Sequence, residues 1–280
     1  MISIFGGKGF VLGEYCKQFS DYALVQGRQD YVPDYPTILY GISTVHNYNV
    51  FDDAHLDIDT NLSLLINILE NAKNTFGTDV VFNFISSWFV YGNVECPAKE
   101  DACCNPKGFY SITKRTAEQL LISYCETFGL KWRILRLANV IGVGDKKISR
   151  KKNALQYMVS EVAKGHDVDY LYSDEYYRDY IDVRDCAKAI DHVIMDGPEN
   201  QIFNIGNGVS ININNTVFLA DYFAGNTSKI TLMEVPEFHK QVQVKDMWLD
   251  NTKLRNLGYN REHTHEDTIR WLVDYYLNNG

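Results

Sequence analysis

The 280-residue chain contains no apolar run approaching the ~20 residues that a bilayer span requires, so it reads as having no membrane helix. Basic residues are in the minority. The 27 Lys and Arg against 36 Asp and Glu give a formal charge of −9, which argues against nucleic acid as a partner. The six cysteines (Cys16, Cys96, Cys103, Cys104, Cys125 and Cys186) lack metal-site spacing, and the adjacent Cys103-Cys104 fits no Cys-x-x-Cys pattern. Disulfides are not needed in an intracellular chain of this size, so reduced thiols are expected. The seven histidines form no cluster, with His263 and His265 two apart in a polar segment, and no metal site is expected. No internal repeat or low-complexity stretch is present. A leader peptide is not expected either, because the first strand begins at residue 2, and the expected location is the cytoplasm. The 45% hydrophobic and 22% charged composition suits an ordinary globular protein with one large domain or two lobes.

Short apolar runs alternate with helical patterns as far as residue 140. Ile2–Phe5, Ala23–Gln26, Thr37–Tyr40, Val80–Ile85 and Trp132–Leu137 read as strands, and residues 13–19, Leu62–Ala72 and Thr113–Phe128 as helices. This alternation predicts an α/β fold with a doubly wound parallel sheet, whose ligands bind at the carboxyl ends of the strands. The turn Gly6-Gly7-Lys8-Gly9-Phe10-Val11 follows the first strand directly. Its glycines permit a tight turn and close backbone approach, and the helix that follows offers free N–H groups to a pyrophosphate.

Tyr110 and Lys114 lie four residues apart in Phe-Tyr-Ser-Ile-Thr-Lys, so on a helix they share a face. A cation beside a phenol lowers its pKa from ~10 toward the range useful for proton transfer near neutrality. Ser87, at the end of the fourth strand, would hold the same substrate oxygen as charge develops on it.

In order along the chain these segments resemble the extended short-chain dehydrogenase/reductase family, in the branch that modifies nucleotide sugars. Gly6 to Val11 is similar to its Gly-Gly-x-Gly-Phe-Ile turn, and Asp59-Thr60-Asn61 to its Asp-x-Asn segment. Ser86-Ser87-Trp88-Phe89-Val90-Tyr91-Gly92 matches its Ser-Ser-x-x-Val-Tyr-Gly strand end. Arg136 to Gly142 resembles Arg-x-x-Asn-Val-Tyr-Gly, and Arg178 to Asp185 resembles Arg-Asp-Phe-x-x-Val-x-Asp. Asn204-Ile205-Gly206 and Leu257-Gly258-Tyr259 fit later markers.

The resemblance implies a Rossmann-type dinucleotide-binding domain of residues 1–142 plus about 179–206. A small discontinuous substrate lobe would take about 143–178 plus 207–280. It implies catalytic Ser87, Tyr110 and Lys114, with the cofactor held by Gly6, Gly7, Gly9, Phe10, Val11, Arg28, Gly41, Asn61, Tyr110 and Lys114. The substrate, a nucleotide-diphosphate sugar, would meet Ser87, Trp88, Asn139 and Arg178, the last in the phosphate-contacting position. A homodimer is expected. The basic run Lys146, Lys147, Arg150, Lys151, Lys152 and the tyrosine-dense stretch 170–180 fall in the substrate lobe.

Three departures matter. Leu12 stands at the third glycine, with Gly13 one place late, so helix-to-strand packing should differ there. Only ten residues, Gly27 to Pro36, separate the second and third strands, so the usual helix and strand between them should be missing. Trp88 and Phe89 replace the Asp-Glu pair of the dehydratases, and neither can supply the base and acid that elimination of water needs. Gln26-Gly27-Arg28, at the end of the second strand, carries no carboxylate for a ribose 2′-OH. It favours NADP, while Asp30 keeps NAD open if the short loop folds back. Three functions compete: reduction of a 4-keto nucleotide sugar, nucleotide-sugar 4-epimerisation, and a non-catalytic dinucleotide sensor or scaffold. Two large aromatics after Ser87 favour a single sugar pose and so the reductase.

Overall fold

The computed structural model describes residues 1–146, 148–172, 176–235, 237 and 244–279. Lys147 of the basic run and residues 173–175 of the tyrosine-dense stretch lie outside them. The first half runs β1 (Ile2–Phe5), α1 (Phe10–Gln18), β2 (Ala23–Val25), β3 (Thr37–Tyr40), α2 (Leu56–Ile58), α3 (Leu64–Phe76), β4 (Val81–Ser87), α4 (Phe109–Phe128) and β5 (Lys131–Leu137). The second half runs β6 (Asn139–Ile141), α5 (Ala154–Ala163), β7 (Val168–Tyr172), β8 (Tyr177–Arg178), β9 (Tyr180–Asp182), α6 (Val183–Asp196), β10 (Gln201–Ile205), β11 (Ile211–Asn212), α7 (Ile213–Phe223), β12 (Ile230–Met233), β13 (Asp246–Met247), α8 (Thr252–Asn256) and α9 (His265–Asn279).

Six strands form a parallel, Rossmann-like sheet in the order β10-β5-β4-β3-β1-β2. Its strands alternate sides with period two, as pleating requires. Ile4, Leu39 and Leu135 pack on one face with Leu12 and Tyr15 of α1 and Ile190 and Val193 of α6. Phe5, Ile38, Tyr40, Phe82, Phe84 and Ile134 pack on the other with Leu65, Ile68 and Leu69 of α3 and Leu121 of α4. Fully burying one such Leu or Phe side chain is worth roughly 1.5–3 kcal/mol. Two apolar layers therefore hold the sheet between the two helix pairs.

The short link after β2 behaves as the sequence predicts. No helix or strand occupies residues 27–36, so β2 is left as the sheet edge, paired on one side with β1. Gln26 lies beyond the end of β2, and its amide donates to Asp34 Oδ2 at 2.9 Å within the same short link. Both helices adjoining the expected ligand edge begin earlier than their apolar periodicity suggests. α1 starts at Phe10 rather than residue 13, and α4 at Phe109 rather than Thr113. In each case the cap is a glycine, Gly9 or Gly108, with no capping side chain.

A third core joins Leu155, Met158 and Val159 of α5, Val217 and Ala220 of α7, and Ile269, Leu272 and Val273 of α9. The expected second portion of the substrate lobe divides in its packing. α7 and α9 belong to this third core, whereas Val244, Met247, Leu249, Leu254 and Tyr259 return to the core beside α1 and α6. These apolar side chains cover the sheet near β10, against which α8 lies. No helix among the described residues is long and apolar enough to cross a membrane.

Candidate active site

A cavity of about 700 Å³ opens at the carboxyl edge of the sheet. Its wall includes Gly6, Gly9, Phe10 and Val11 from the first turn, Gly41 after β3, Ser87 and Trp88 after β4, and Tyr110 and Lys114 of α4. Asn139, Arg178 and the 150–155 segment complete it from the other side of the chain. Eleven of the expected site residues therefore share one cavity; three do not reach it.

Gly7 is turned inward, where an added Cβ would lie 2.7 Å from a Val25 methyl. Asn61, 2% exposed, braces the loop after β3 from behind. Its Oδ1 accepts from Ser43 Oγ at 3.0 Å and Thr44 N at 2.9 Å, and its Nδ2 donates to Thr113 Oγ1 on α4 at 3.0 Å. Arg28 is exposed on the turn after β2, outside the cavity wall.

The first turn fits a dinucleotide. Gly6, at φ +91°, passes so close to the strand beyond that an added Cβ would lie 3.1 Å from the Gly41 carbonyl carbon. Gly9 caps α1 with extended backbone and no side chain in front of the helix N-terminus, which leaves the first-turn N–H groups open toward an anion. Leu12, in place of the third glycine, is accommodated by Gly41. A Cβ there would fall 2.5 Å from Leu12 Cδ1, so the small residue stands just after β3 rather than in α1.

Around the chemistry, Ser87 Oγ accepts from Phe89 N at 3.3 Å, which aims the hydroxyl at the start of the next turn. Phe89 meets the Tyr110 ring edge-on at 5.8 Å and stacks on Trp88 at 3.9 Å. Trp88 is 3% exposed, and its indole N–H donates to Asn139 Oδ1 at 3.2 Å. The Trp88 ring thus belongs to both the core and the cavity wall. Arg178 lies 5.3 Å over Trp88 and 5.5 Å over Tyr176, and its guanidinium donates to the carbonyls of Tyr177, Val244 and Lys245. Burial holds its pKa below the ordinary arginine value.

The expected lowering of the Tyr110 pKa by Lys114 is not what this arrangement produces. Burial pushes Tyr110 up to about 12; a hydrogen bond with the Ser87 hydroxyl lowers it, the Asp57 carboxylate raises it, and the Ser43 hydroxyl lowers it. Lys114 is itself pushed down to about 7 by burial, against the opposing pull of Glu118. Its ammonium donates to Ile85 O at 2.7 Å and sits 4.1 Å over the Phe84 ring, both on the strand β4.

Behind this pair lies a buried ion cluster. Arg136 donates to both oxygens of Glu118, at 2.9 and 2.8 Å, while Ser86 Oγ and Arg115 add bonds of 2.6 and 2.8 Å. Glu118 is one turn beyond Lys114, and Ser86 is next to Ser87. The cluster therefore clamps the end of β4 against α4. Asp185, Glu262 and His263 also bring possible ligand atoms within 4.8 Å of one another. Asp185 is committed to His263 and to the Glu262 amide, and Lys188 pairs with Glu262.

The loop of residues 43–48, which supplies Ser43, Thr44, Asn47 and Tyr48 to the wall, escaped the sequence reading. Its only signal was a polar run without periodicity, which any loop shows.

The sequence profile of the NAD dependent epimerase/dehydratase family matches residues 24–206. The low-salt glycan biosynthesis protein Agl12 of Haloferax volcanii is 30% identical over 69% of this chain and 60% of its own length. GDP-6-deoxy-D-mannose reductase of Pseudomonas aeruginosa is 28% identical over 70% of this chain and 61% of its own. The chain thus spans about three fifths of these curated relatives. In fold it is similar to the UDP-glucose 4-epimerase of Thermotoga maritima solved with UDP-glucose, with TM-score 0.87, 21% identity, and 99% and 98% of the two chains covered. With residues 24–206, more than half of the sequence, matched, the chain belongs to the NAD dependent epimerase/dehydratase family.

Proposed function

We propose that this protein reduces the 4-keto group of a nucleotide-diphosphate sugar with NADPH, in the cytoplasm. The bound dinucleotide supplies a hydride. Gly6, Gly9, Phe10 and Val11 hold its pyrophosphate at the α1 N-terminus. Tyr110 donates its proton to the oxygen that becomes the hydroxyl, and Ser87 holds that oxygen meanwhile. Burial favours the neutral phenol, which is the form that donates a proton. Asn139 and Arg178 form the far wall of the cavity, at the border of a substrate lobe that takes residues 143–178 and the packed helices α7 and α9.

The observation that carries the reading is the pinned aromatic pair. Trp88 is fixed by Asn139, by Phe89 and by Arg178, so the sugar meets a rigid wall directly after Ser87. An epimerase must let the keto sugar turn over and present its other face. The likeness in fold to a UDP-glucose 4-epimerase keeps that second reading in play. Two incubations separate them: UDP-glucose or UDP-galactose without reductant, and a 4-keto-6-deoxy nucleotide sugar with NADPH. Consumption of NADPH in the second, with no interconversion in the first, is expected; the reverse pattern refutes the reductase.

The NADP preference is supported by Gln26, which presents no carboxylate and spends its amide on Asp34. Arg28 is the nearby cation. Arg28→Ala should weaken NADP far more than NAD in parallel titrations, and equal losses would exclude contact with a 2′-phosphate.

A further inference from the structure

We infer that Asn47 is the positioning residue for Tyr110, because it caps helix α4 from the neighbouring loop where the helix has only a glycine at its own cap. That the positioned phenol is catalytic rests on the reading above; the capping geometry does not.

The first N–H groups of a helix have no partner within it, and an oxygen from the N-cap side chain usually serves the third residue. At α4 the N-cap is Gly108, which makes no side-chain bond. Ser111 is the third residue of the helix, and its N–H instead donates to Asn47 Oδ1 at 3.3 Å. The same amide returns a bond, with Asn47 Nδ2 donating to Ser111 Oγ at 3.2 Å. Asn47 is 3% exposed and Ser111 is fully buried, so water does not replace these bonds.

Gly108 is what makes room. Its φ is +84°, and a Cβ built there would fall 2.5 Å from Asn47 Oδ1. A serine or aspartate at the cap and an asparagine reaching in from the loop exclude each other. This chain has the second arrangement. Tyr110 stands between the cap and Ser111, so the two bonds fix the residue that directly follows the phenol in the first turn of the helix.

The loop is in turn anchored at both ends. Asp57, fully buried, accepts from Thr44 Oγ1 and from Asn49 Nδ2, the latter at 3.0 Å. Asn61 ties Thr44 to Thr113, one turn beyond Tyr110. Residues 44–49 are therefore a brace spanning from α2 and the turn before α3 to the first turn of α4, and residues 44–48 of it wall the cavity. A misplacement of about 1 Å in a reacting group can lower a rate of the order of 10²-fold.

The test compares Asn47→Ala, Asn47→Asp and Gly108→Ala with the wild type. Aspartate keeps an oxygen for the Ser111 N–H. The alanine at 108 evicts Asn47 while leaving it in the sequence. Deuterium exchange of residues 108–114, with α9 as internal reference, is read first because it needs no substrate. Roughly tenfold faster exchange is expected in Asn47→Ala and Gly108→Ala, consistent with the loss of a cap, and near wild-type exchange in Asn47→Asp. In the reductase assay kcat should fall about ten- to a hundredfold in the two alanine variants, with dinucleotide affinity retained, and recover in Asn47→Asp. Exchange at 108–114 unchanged in Asn47→Ala, or raised equally in Asn47→Asp, would overturn the proposal. A wild type that turns over no nucleotide sugar would refute the proposed reaction and leave the exchange result to decide this one.

Discussion

Burial acts on Tyr110 and Lys114 in opposite senses, raising the phenol to about 12 and lowering the ammonium to about 7. Each shift disfavours the charged form, as expected in a low-dielectric wall. For Lys114 the consequence for stability has a definite sign. Unfolded lysine titrates near ~10.4, so between pH ~7 and ~10.4 the unfolded chain binds a proton that the folded chain does not. Stability contributed by this group therefore rises with pH across that window and is lost as pH falls through about 7. Lys114→Met should melt above the wild type at pH 7, with the gap closing toward pH 10, while binding dinucleotide less well. A variant melting lower at pH 7 would show that the bond to Ile85 outweighs the burial of charge. Tyr110→Phe keeps the ring and loses the hydroxyl, so turnover should drop by about 10²–10⁴ with the melting point little changed. Retention of most activity would remove Tyr110 from the chemistry. Both residues were readable from the sequence as a Tyr-x-x-x-Lys pair. Their electrostatics were not, because the burial that shifts both and the strand β4 residues Phe84 and Ile85 that meet Lys114 come only with the fold.

At the level of elements, the glycine turn and the strand–helix alternation were legible because they are local: the turn needs particular residues, and the pleat imposes a period of two. The missing unit after β2 was legible too, since ten residues with two prolines cannot hold a helix and a strand. Helix starts were not, for Gly9 and Gly108 carry no capping side chain to mark them. Nor was the exchange of small residue between α1 and the turn after β3, which depends on a contact between Leu12 and Gly41 that only the fold creates. That contact makes a prediction. Leu12→Ala should destabilise by about 2–4 kcal/mol through the lost apolar contacts. Gly41→Ala alone should destabilise by about 1–3 kcal/mol through overpacking against Leu12. Combined, the two should cost less than their sum, because the new methyl enters the space the leucine left. Strict additivity in urea denaturation would show that Leu12 and Gly41 do not share that space.

Over the whole molecule, the charge of −9 sets a difficulty for any function that binds a dinucleotide and a nucleotide sugar, since both ligands are anions. The distribution of charge offsets the total. Arg150, Lys151, Lys152 and Arg178 all line the cavity, against Asp145 as the acidic residue of its wall. Of these, Arg150 meets Asp169 at 3.1 Å and Lys152 meets Asp145 at 2.7 Å. Arg178 is bonded to carbonyls. Lys151 is exposed, with its ammonium 5.5 Å over the Tyr48 ring, and under the proposed function it is the rim cation that an incoming phosphate would meet. A charge at such a rim guides encounter and adds little to the chemical step. Lys151→Gln should therefore raise KM for the nucleotide sugar by roughly two- to fivefold at low ionic strength, with kcat unchanged. The difference should shrink as salt shortens the screening length from ~30 Å at 0.01 M to ~8 Å at 0.15 M. Steady-state kinetics of both proteins across that range measure it. A KM penalty that persists undiminished at high salt would mean that Lys151 makes a desolvated contact with the substrate, and an unchanged KM at low salt would mean that the anion enters by another side of the cavity.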